Sequence, residues 1–513
     1  MSAECSFLNH FCRLMYKPEY LRFMKKADIC NIQNDYLMKL LKKNSATVYG
    51  KKYGFAQIHS YEEYSAHVPL TVYEDYEPYI EQMSKGQKNV LTYEDIILFE
   101  LTSGSSGGKK LIPYTRSLRQ EFQRGIMPWL YDIYSKVPGV MSGKSYWSIT
   151  PVTSKKSYTE CGIPVGFEED AQYFGALVQS VMNRLFAVSS DVKISADMQD
   201  FYMKTAKQLI KCGSLSLISV WNPTFLTILC DFIRDNAGKL TDELDRCSAA
   251  RLEKAVSENR FDILFPDLKI ISMWADASAA DYAGAVKERF PGIYIQPKGL
   301  LATECFVSFP LTGEVGSRLS IYSHFFEFRS LRDGKICTAA QLEKGEYEII
   351  VTTGGGFYRY CIGDIVEILE VYKDSPPRMR FLRRQGITSD LFGEKLTEMF
   401  VRSVCTSLGV NSSFCLLAPC EDSYCLYTEN RDITCENLDR ALRESYHYDY
   451  CRSLGQLRAA KVRLVSGNPR NDYIRRNVSD GMRLGDIKPA YLSKKSGWDD
   501  WFEITEERTI QNA

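Results

Sequence analysis

An excess of charge of either sign is missing from this chain: 64 Lys+Arg stand against 64 Asp+Glu, a formal net charge of zero. Nothing in that balance points to nucleic acid or to an acidic membrane surface. Long hydrophobic runs are missing too. The longest apolar stretch, Leu215 to Ile233, is broken by Asn222-Pro223 and Asp231 and is too polar to span a bilayer. The opening residues, Met1 to Phe7, lack the basic-then-apolar pattern of a secretory leader, so a cytoplasmic location is expected. Histidine is scarce, five in all (His10, His59, His67, His324, His447), and none sits in an H-E-x-x-H pattern. Sixteen cysteines are scattered without a C-x-x-C. Cys415, Cys420 and Cys425 recur at intervals of five, with no histidine beside them to complete a zinc set. Buried, reduced thiols are the expectation.

What is present describes a soluble globular chain: 513 residues, 45% apolar and 25% charged. At ~100–200 residues per domain, two to four domains fit. Residues 1 to about 95 read as mostly helical, with apolar residues at three-to-four spacing over Asn31–Leu41 and Tyr61–Val68, interrupted by Pro69 and Pro78. A helix is predicted over Ser117–Leu130, with Ser117 and Gln120 as a capping box. Strands then alternate with helices: Ser145–Thr150, Gln199–Lys211, Leu215–Val220, Phe225–Ile233, Asp267–Trp274 and Ala277–Phe290. That alternation predicts an α/β fold with a largely parallel sheet, where ligands bind at the carboxyl ends of strands. The second half is strand-rich as far as Arg384, and the last ~130 residues suffice for a small α+β domain.

One stretch stands out, Phe99-Glu-Leu-Thr-Ser-Gly-Ser-Ser-Gly-Gly-Lys-Lys-Leu-Ile-Pro113. The apolar run Ile96–Phe99 reads as a short strand leading into a loop in which Thr102, Ser103, Ser105 and Ser106 surround Gly104. Glycines let backbone N–H groups converge on an anion, and the hydroxyls and lysines add donors and charge. The spacing is neither the P-loop nor the dinucleotide G-x-G-x-x-G pattern. A phosphate grip and a flexible Ser/Gly turn both fit the loop taken alone.

Three further stretches carry chemistry. Gly299-Leu-Leu-Ala-Thr-Glu304 is a small-residue turn with one carboxylate. Thr352-Thr-Gly-Gly-Gly-Phe-Tyr-Arg-Tyr-Cys-Ile-Gly-Asp364 ends a strand in glycines and returns through an aspartate. Arg383-Arg384 and Gly393-Glu-Lys395 follow. With Thr102–Gly108, Leu300–Glu304 and Phe357–Asp364 in this order, the chain resembles the Gretchen Hagen family of acyl acid amido synthetases, including its bacterial-type members. The resemblance runs from about residue 20 to the end. It extends to the wider acyl-adenylate-forming superfamily of acyl-CoA synthetases, peptide-synthetase adenylation domains and luciferases.

The resemblance implies a large N-terminal adenylate-forming domain with mixed and parallel sheets and a β-barrel-like part (1–383, binding ATP and the acyl acid). A small, mobile α+β C-terminal lid domain (384–513) would follow. It implies an ATP-dependent ligase that makes an acyl-AMP, releases pyrophosphate and passes the acyl group to the amine of an amino acid. Its partners would be a carboxylic acid and an amino acid, with no nucleic acid and no membrane. Carried over residue by residue, Thr102, Ser103, Gly104, Ser105 and Ser106 would hold the triphosphate. Leu300, Ala302 and Thr303 would line the adenine, with Leu300 in place of a family tyrosine, which removes a stacking ring. Glu304 would bind Mg²⁺, Asp364 the ribose, and Arg384 and Lys395 the nucleotide near a hinge. Lys488, in Gly485-Asp-Ile-Lys-Pro489, would neutralise the reacting carboxylate and α-phosphate. Read from the residues, the lesser alternatives are Glu304 as a cap for a following helix, Asp364 as a strand-end turn residue and Lys488 as a solvated lysine. The acid pocket is expected near Met127–Leu130, with Trp147 and Tyr158 as walls or as plain core. Transfer to a thiol (coenzyme A or a carrier protein) and an inactive nucleotide-binding homologue are the alternatives.

Overall fold

The computed structural model describes residues 3–103, 109–148, 157–166, 176–195, 197–221, 223–276, 280–384, 388–392, 394, 396–410, 413–453, 456–482, 484 and 487–509. The chain divides into two compact units, one made of most of the residues up to Leu382 and one made chiefly of Arg383–Ala513.

In the first unit, helices form where apolar residues repeat every three to four positions and a cap stops the backbone. Ile29–Asn44 buries Ile29, Gln33, Leu37, Leu40 and Leu41 on one face, and Asp28 accepts from the Asn31 N–H at its start. The helix after the glycine loop runs Arg116–Lys136, longer at both ends than the predicted Ser117–Leu130, and passes through Pro128. Its cap is Thr115, which accepts from the Leu118 N–H, and not Ser117. Ser117 instead donates to Glu94, so its hydroxyl is spent across the fold. Pro78 opens the helix Glu77–Ser84 where an interruption was expected, since a first-turn residue needs no N–H partner.

Three sheets organise this unit. A four-stranded parallel sheet has the order Lys144–Trp147, Leu215–Ser219, Ile270–Met273, Tyr294–Pro297. Its two central strands are buried along their whole length, as parallel strands covered on both faces must be. A seven-stranded, predominantly antiparallel sheet runs Ile336–Thr338, Phe325–Ser330, Gly345–Thr352, Tyr360–Glu370, Arg378–Arg384, Ser317–Leu319, Ser308–Pro310, and is the barrel-like part. The third pairs Leu98–Ser103 with Lys109–Tyr114 as a hairpin and adds Pro164–Val165 and Ser157–Tyr158.

The second unit is an α+β fold. Its sheet has the order Cys415–Cys420, Ser423–Thr428, Lys461–Ser466, Glu503–Arg508. The helices Glu398–Ser407, Cys435–Leu442 and Tyr446–Ser453 contribute to the apolar core with Leu417, Leu426 and Val462. Helix Cys435–Leu442 ends at Leu442 and the next begins at Tyr446. The sixteen cysteines form no disulfide, and Cys30, Cys161 and Cys247 are exposed, against the expectation of burial. Among the described residues no helix is long and apolar enough to cross a membrane.

Candidate nucleotide and acid site

The glycine loop joins two strands of a hairpin, with Thr102 opposite Lys110 and Ser103 opposite Lys109. Thr102 and Ser103 therefore end a strand, Leu98–Ser103, that is longer than the predicted one; the ladder carries it past the apolar run. Gly104, Ser105, Ser106 and Lys395 lie outside the described residues, as do the side chains of Thr102, Ser103 and Arg384. Lys110 is engaged beside the loop: its Nζ is 3.4 Å from Glu74 Oε1 and 4.8 Å from the centre of the Tyr73 ring.

The Glu304 segment is a tight hairpin. Leu301 bridges Phe306, and Ala302 and Cys305 exchange backbone hydrogen bonds of 2.9 and 3.2 Å. Strand Ser308–Pro310 follows, so the reading of Glu304 as a helix cap fails: the structure has no helix there to cap. Leu300 is buried, and its main chain is held by Ser308, whose Oγ accepts from the Leu300 N–H at 3.0 Å. Ala302 and Thr303 are half-buried at the turn.

Two hydrogen bonds gather the motifs onto this hairpin. Tyr114, at the end of the strand that leaves the glycine loop, donates from Oη to the Thr303 carbonyl at 2.9 Å. Tyr360 of the third motif donates from Oη to Glu304 Oε1 at 3.4 Å. The Glu304 residue is only 5% exposed. Segments 189 and 56 positions distant thus meet at one hairpin.

Asp364 sits inside the strand Tyr360–Glu370, not at a strand-end turn, and is 6% exposed. The ladder is irregular here: Ile350 pairs with Cys361 and Glu348 with Ile365, with Gly363 at φ +76° in the interval. Only glycine takes that conformation without strain, and a bulge of this kind re-aims the residue beside it.

A buried polar relay, invisible to motif reading, braces the same region. The Phe306 N–H donates to His324 Nε2 at 2.9 Å; an amide can only donate, so Nε2 accepts and Nδ1 donates to Glu121 Oε2 at 3.0 Å. Glu121 Oε2 also accepts from the Gly354 N–H at 2.9 Å, and Oε1 accepts from Tyr36 Oη at 2.7 Å. Gly354 must be glycine, because a Cβ there would collide with Glu121 Oε1 and lie 2.7 Å from Ser117 Cβ. The Arg116–Lys136 helix, the glycine run and the Glu304 hairpin are tied by one carboxylate–imidazole pair.

Arg359, within the third motif, is structural. Its guanidinium holds Glu327 through Nε and Nη2 and the carbonyls of Ser65 and Val68 through Nη1 at 2.8 and 2.9 Å. Burial pushes the Glu327 carboxyl up, and the Arg359 charge opposes that shift.

In the second unit Lys488 is exposed, and its carbonyl accepts from Tyr473 Oη at 3.2 Å. Glu398, at the start of its helix, accepts from the Tyr491 N–H at 3.2 Å. Its enclosure drives the carboxyl up to about 6, against that hydrogen bond and the positive charges of Arg402 and Lys488.

Residues 20–250 match the GH3 family N-terminal domain, residues 318–384 the GH3 family central domain and residues 399–497 the GH3 family C-terminal domain. The chain belongs to the GH3 family. Its similarity extends to named plant relatives. The putative indole-3-acetic acid-amido synthetase GH3.10 of Oryza sativa subsp. japonica is 24% identical over 74% of this chain and 84% of that protein. The indole-3-acetic acid-amido synthetase GH3.3 of Arabidopsis thaliana is 24% identical over 75% of this chain and 72% of its own length. In fold, the chain matches the solved structure of GH3.15 acyl acid amido synthetase with a TM-score of 0.79 at 18% identity, covering 94% of this chain and 95% of that one. The same enzyme in complex with 2,4-DB gives 0.80 at 17% identity, over 98% and 97% of the two chains. The GH3 membership expected from the glycine loop, the Glu304 turn and the Phe357–Asp364 motif is therefore the membership present.

Of the expected acid-pocket walls, Trp129 and Trp147 pack edge to face at 5.9 Å, and Tyr158 is exposed. Between those tryptophans lies Lys298, a residue that motif reading passed over.

Proposed function

We propose that this GH3 protein is an ATP-dependent acyl acid amido synthetase: it converts a carboxylic acid to an acyl-adenylate and passes the acyl group to the amine of an amino acid. The observation that carries the reading is the convergence of the hairpin after the glycine loop and the Tyr360 strand on the Glu304 turn, in a chain of this family. A carboxylate makes no amide at neutral pH until its oxygen becomes part of a good leaving group. In the first step a carboxylate oxygen bonds to the α-phosphorus as the α–β bridging bond breaks and pyrophosphate leaves. In the second the amine nitrogen bonds to the carbonyl carbon, AMP leaves, and the surplus amine proton passes to solvent.

The residues divide the work. The Thr102–Ser106 loop grips the triphosphate through hydroxyls and N–H groups, and Leu300 with Ala302 and Thr303 forms an apolar wall for adenine. Asp364 accepts from the ribose hydroxyls. The C-terminal part from residue 384 serves as a lid that carries Lys488, whose charge balances the carboxylate and α-phosphate during adenylation; Arg384 and Lys395 attend the nucleotide near the hinge. Phosphoryl transfer is mainly a matter of such positioning and charge balance.

A magnesium ion fits the donor set around Glu304. Among the described residues no group of three or more acidic, histidine or cysteine side chains gathers, and Mg²⁺ ordinarily takes one or two carboxylates with phosphate oxygens and water. Glu304 would hold it, and the ion would supply charge neutralisation to the triphosphate.

Acid-dependent exchange of pyrophosphate into ATP, across a panel of carboxylic acids, tests the first step. Adding amino acids or coenzyme A to the active acids and identifying the product tests the second. An amide supports the proposal, a thioester assigns the thiol reading, and no exchange with any acid overturns both.

A further inference from the structure

The parallel sheet ends in a cage that the adenylation chemistry above leaves unused. Lys298 follows directly on strand Tyr294–Pro297 and is 4% exposed. Its ammonium lies 4.7 Å from the centre of the Trp221 ring, 4.8 Å from Trp129 and 5.6 Å from Trp147. Trp147 closes the first strand of the sheet, Ser219 the second, and Trp221 follows two residues later. All these groups except Trp129, which comes from the Arg116–Lys136 helix, leave carboxyl ends of parallel strands, the place where open α/β sheets hold their ligands.

The cage is electrically incomplete. An ammonium has three donors. Among the described residues, one oxygen serves them, Ser219 Oγ at 2.7 Å, and no carboxylate pairs with Lys298. Indole faces attract a cation but do not replace a counter-ion. Two positions earlier, Gln296 gives its Oε1 to Trp129 Nε1 at 2.9 Å, while its buried Nε2 has no hydrogen-bond partner. Two buried donors thus stand on the same side of one strand beside the same indole. Trp221 is 37% exposed, so part of its ring reaches solvent. Such an arrangement is costly as empty core and apt for a flat anion.

We propose that Lys298, Gln296 and the indoles of Trp129, Trp147 and Trp221 form the subsite for the acyl acid, in which the ammonium takes a carboxylate and the tryptophans hold an aromatic or apolar body. The inference rests on the amido-synthetase reading and names the class of acid it accepts: a carboxylate on a ring or short apolar arm. The carboxylate held is either the one that is adenylated or a second one on a dicarboxylic acid. Among the described residues, the groups facing Lys298 are a serine and three indoles, none of them charged. Burial alone pulls its ammonium down to about 7. An entering carboxylate restores the charged form, so at pH 8 acid binding draws in a proton.

The test uses the full chain with benzoate, phenylacetate, indole-3-acetate and phthalate as probes in the ATP–pyrophosphate exchange assay, beside the broader acid panel. Lys298→Met should raise the KM for every active acid about 10- to 100-fold, the span of a lost charged hydrogen bond, with the KM for ATP unchanged. Lys298→Arg should restore part of it by keeping the charge. Loss for mono- and dicarboxylic acids alike assigns Lys298 to the reacting carboxylate; loss for phthalate alone assigns it to the second carboxylate. Exchange in the wild type with a Lys298→Met KM within twofold overturns the inference and leaves the amido-synthetase reading intact. No exchange in the wild type overturns that reading first. Should the variant fold poorly, calorimetry on the wild type at pH 8 in two buffers of different ionisation enthalpy decides: uptake of up to about one proton per active acid bound supports the subsite, and no uptake overturns it.

Discussion

Glu304 and Lys298 are six residues apart in sequence and are opposites as buried charges. Glu304 has Tyr360 beside it and a proposed cation to bind, so Glu304→Ala should abolish acid-dependent pyrophosphate exchange while urea unfolding shifts by less than about 1 kcal/mol. Retained exchange would remove Glu304 from the site. Asp364→Ala should raise the KM for ATP roughly 10- to 100-fold, as loss of a charged contact to ribose worth about 1.5–3 kcal/mol requires. An unchanged ATP affinity would return Asp364 to a purely structural part. Lys298 is buried with no countercharge among the described residues, and its pKa falls from the usual lysine value to about 7. The unfolded chain then binds more protons than the folded one between about pH 7 and 10.5, so this group makes stability rise with pH across that window. Lys298→Met should flatten the rise and stabilise the fold at pH 7 by about 1–4 kcal/mol, measured by denaturant unfolding of variant and wild type in parallel.

At the scale of elements, most boundaries could be read from periodicity, and the errors have identifiable causes. The helix after the glycine loop was anticipated, but its cap was misplaced because Thr115 and Ser117 are equally good capping residues by type. What separates them is Glu94, 23 positions away, which draws the Ser117 hydroxyl. Asp364 reads from the sequence as a turn residue, yet pairing with Gly345–Thr352 carries the ladder across Gly363 and past it. Arg359 stands inside the third motif, yet its partners make it a brace between the residue before strand Tyr360–Glu370, strand Phe325–Ser330 and the segment Ser65–Val68. Arg359→Met should destabilise the first unit by about 3–5 kcal/mol by leaving Glu327 buried and uncompensated. The double variant Arg359→Met/Glu327→Leu should recover much of that loss. A double variant no more stable than the single one would show that the backbone contacts of Arg359, rather than the charge pair, hold this corner.

For the molecule as a whole, the proposed division of labour predicts an asymmetry between half-reactions. Lys488→Ala should slow adenylation at least tenfold while aminolysis of added acyl-adenylate changes little; equal loss of both would assign the lysine a structural part or point to another residue. The second unit also carries its own pH signature. Glu398, held up to about 6, favours the folded state when protonated. That contribution is complete below the ordinary carboxylate value of 4.5 and is lost as pH rises through about 6. Glu398→Gln should remove this slope from the unfolding of the C-terminal unit, followed by a probe such as Trp498 fluorescence.

By itself the sequence determined the local and ordered features: helix faces, the alternation that makes a parallel sheet, and three motifs whose order marks a GH3 protein. These depend on neighbours within a few residues or on linear order, and both survive in a string. Tertiary structure alone decided which side chains share a space. Tyr114 and Tyr360 meet at the Glu304 hairpin, and His324 pairs with Glu121 across 203 positions. Lys298 in Gln-Pro-Lys-Gly reads as one more surface lysine until Trp129, Trp147, Ser219 and Trp221 are folded around it. Burial and countercharge are properties of a neighbourhood in space, and they turn an ordinary lysine into a candidate for selecting the acid.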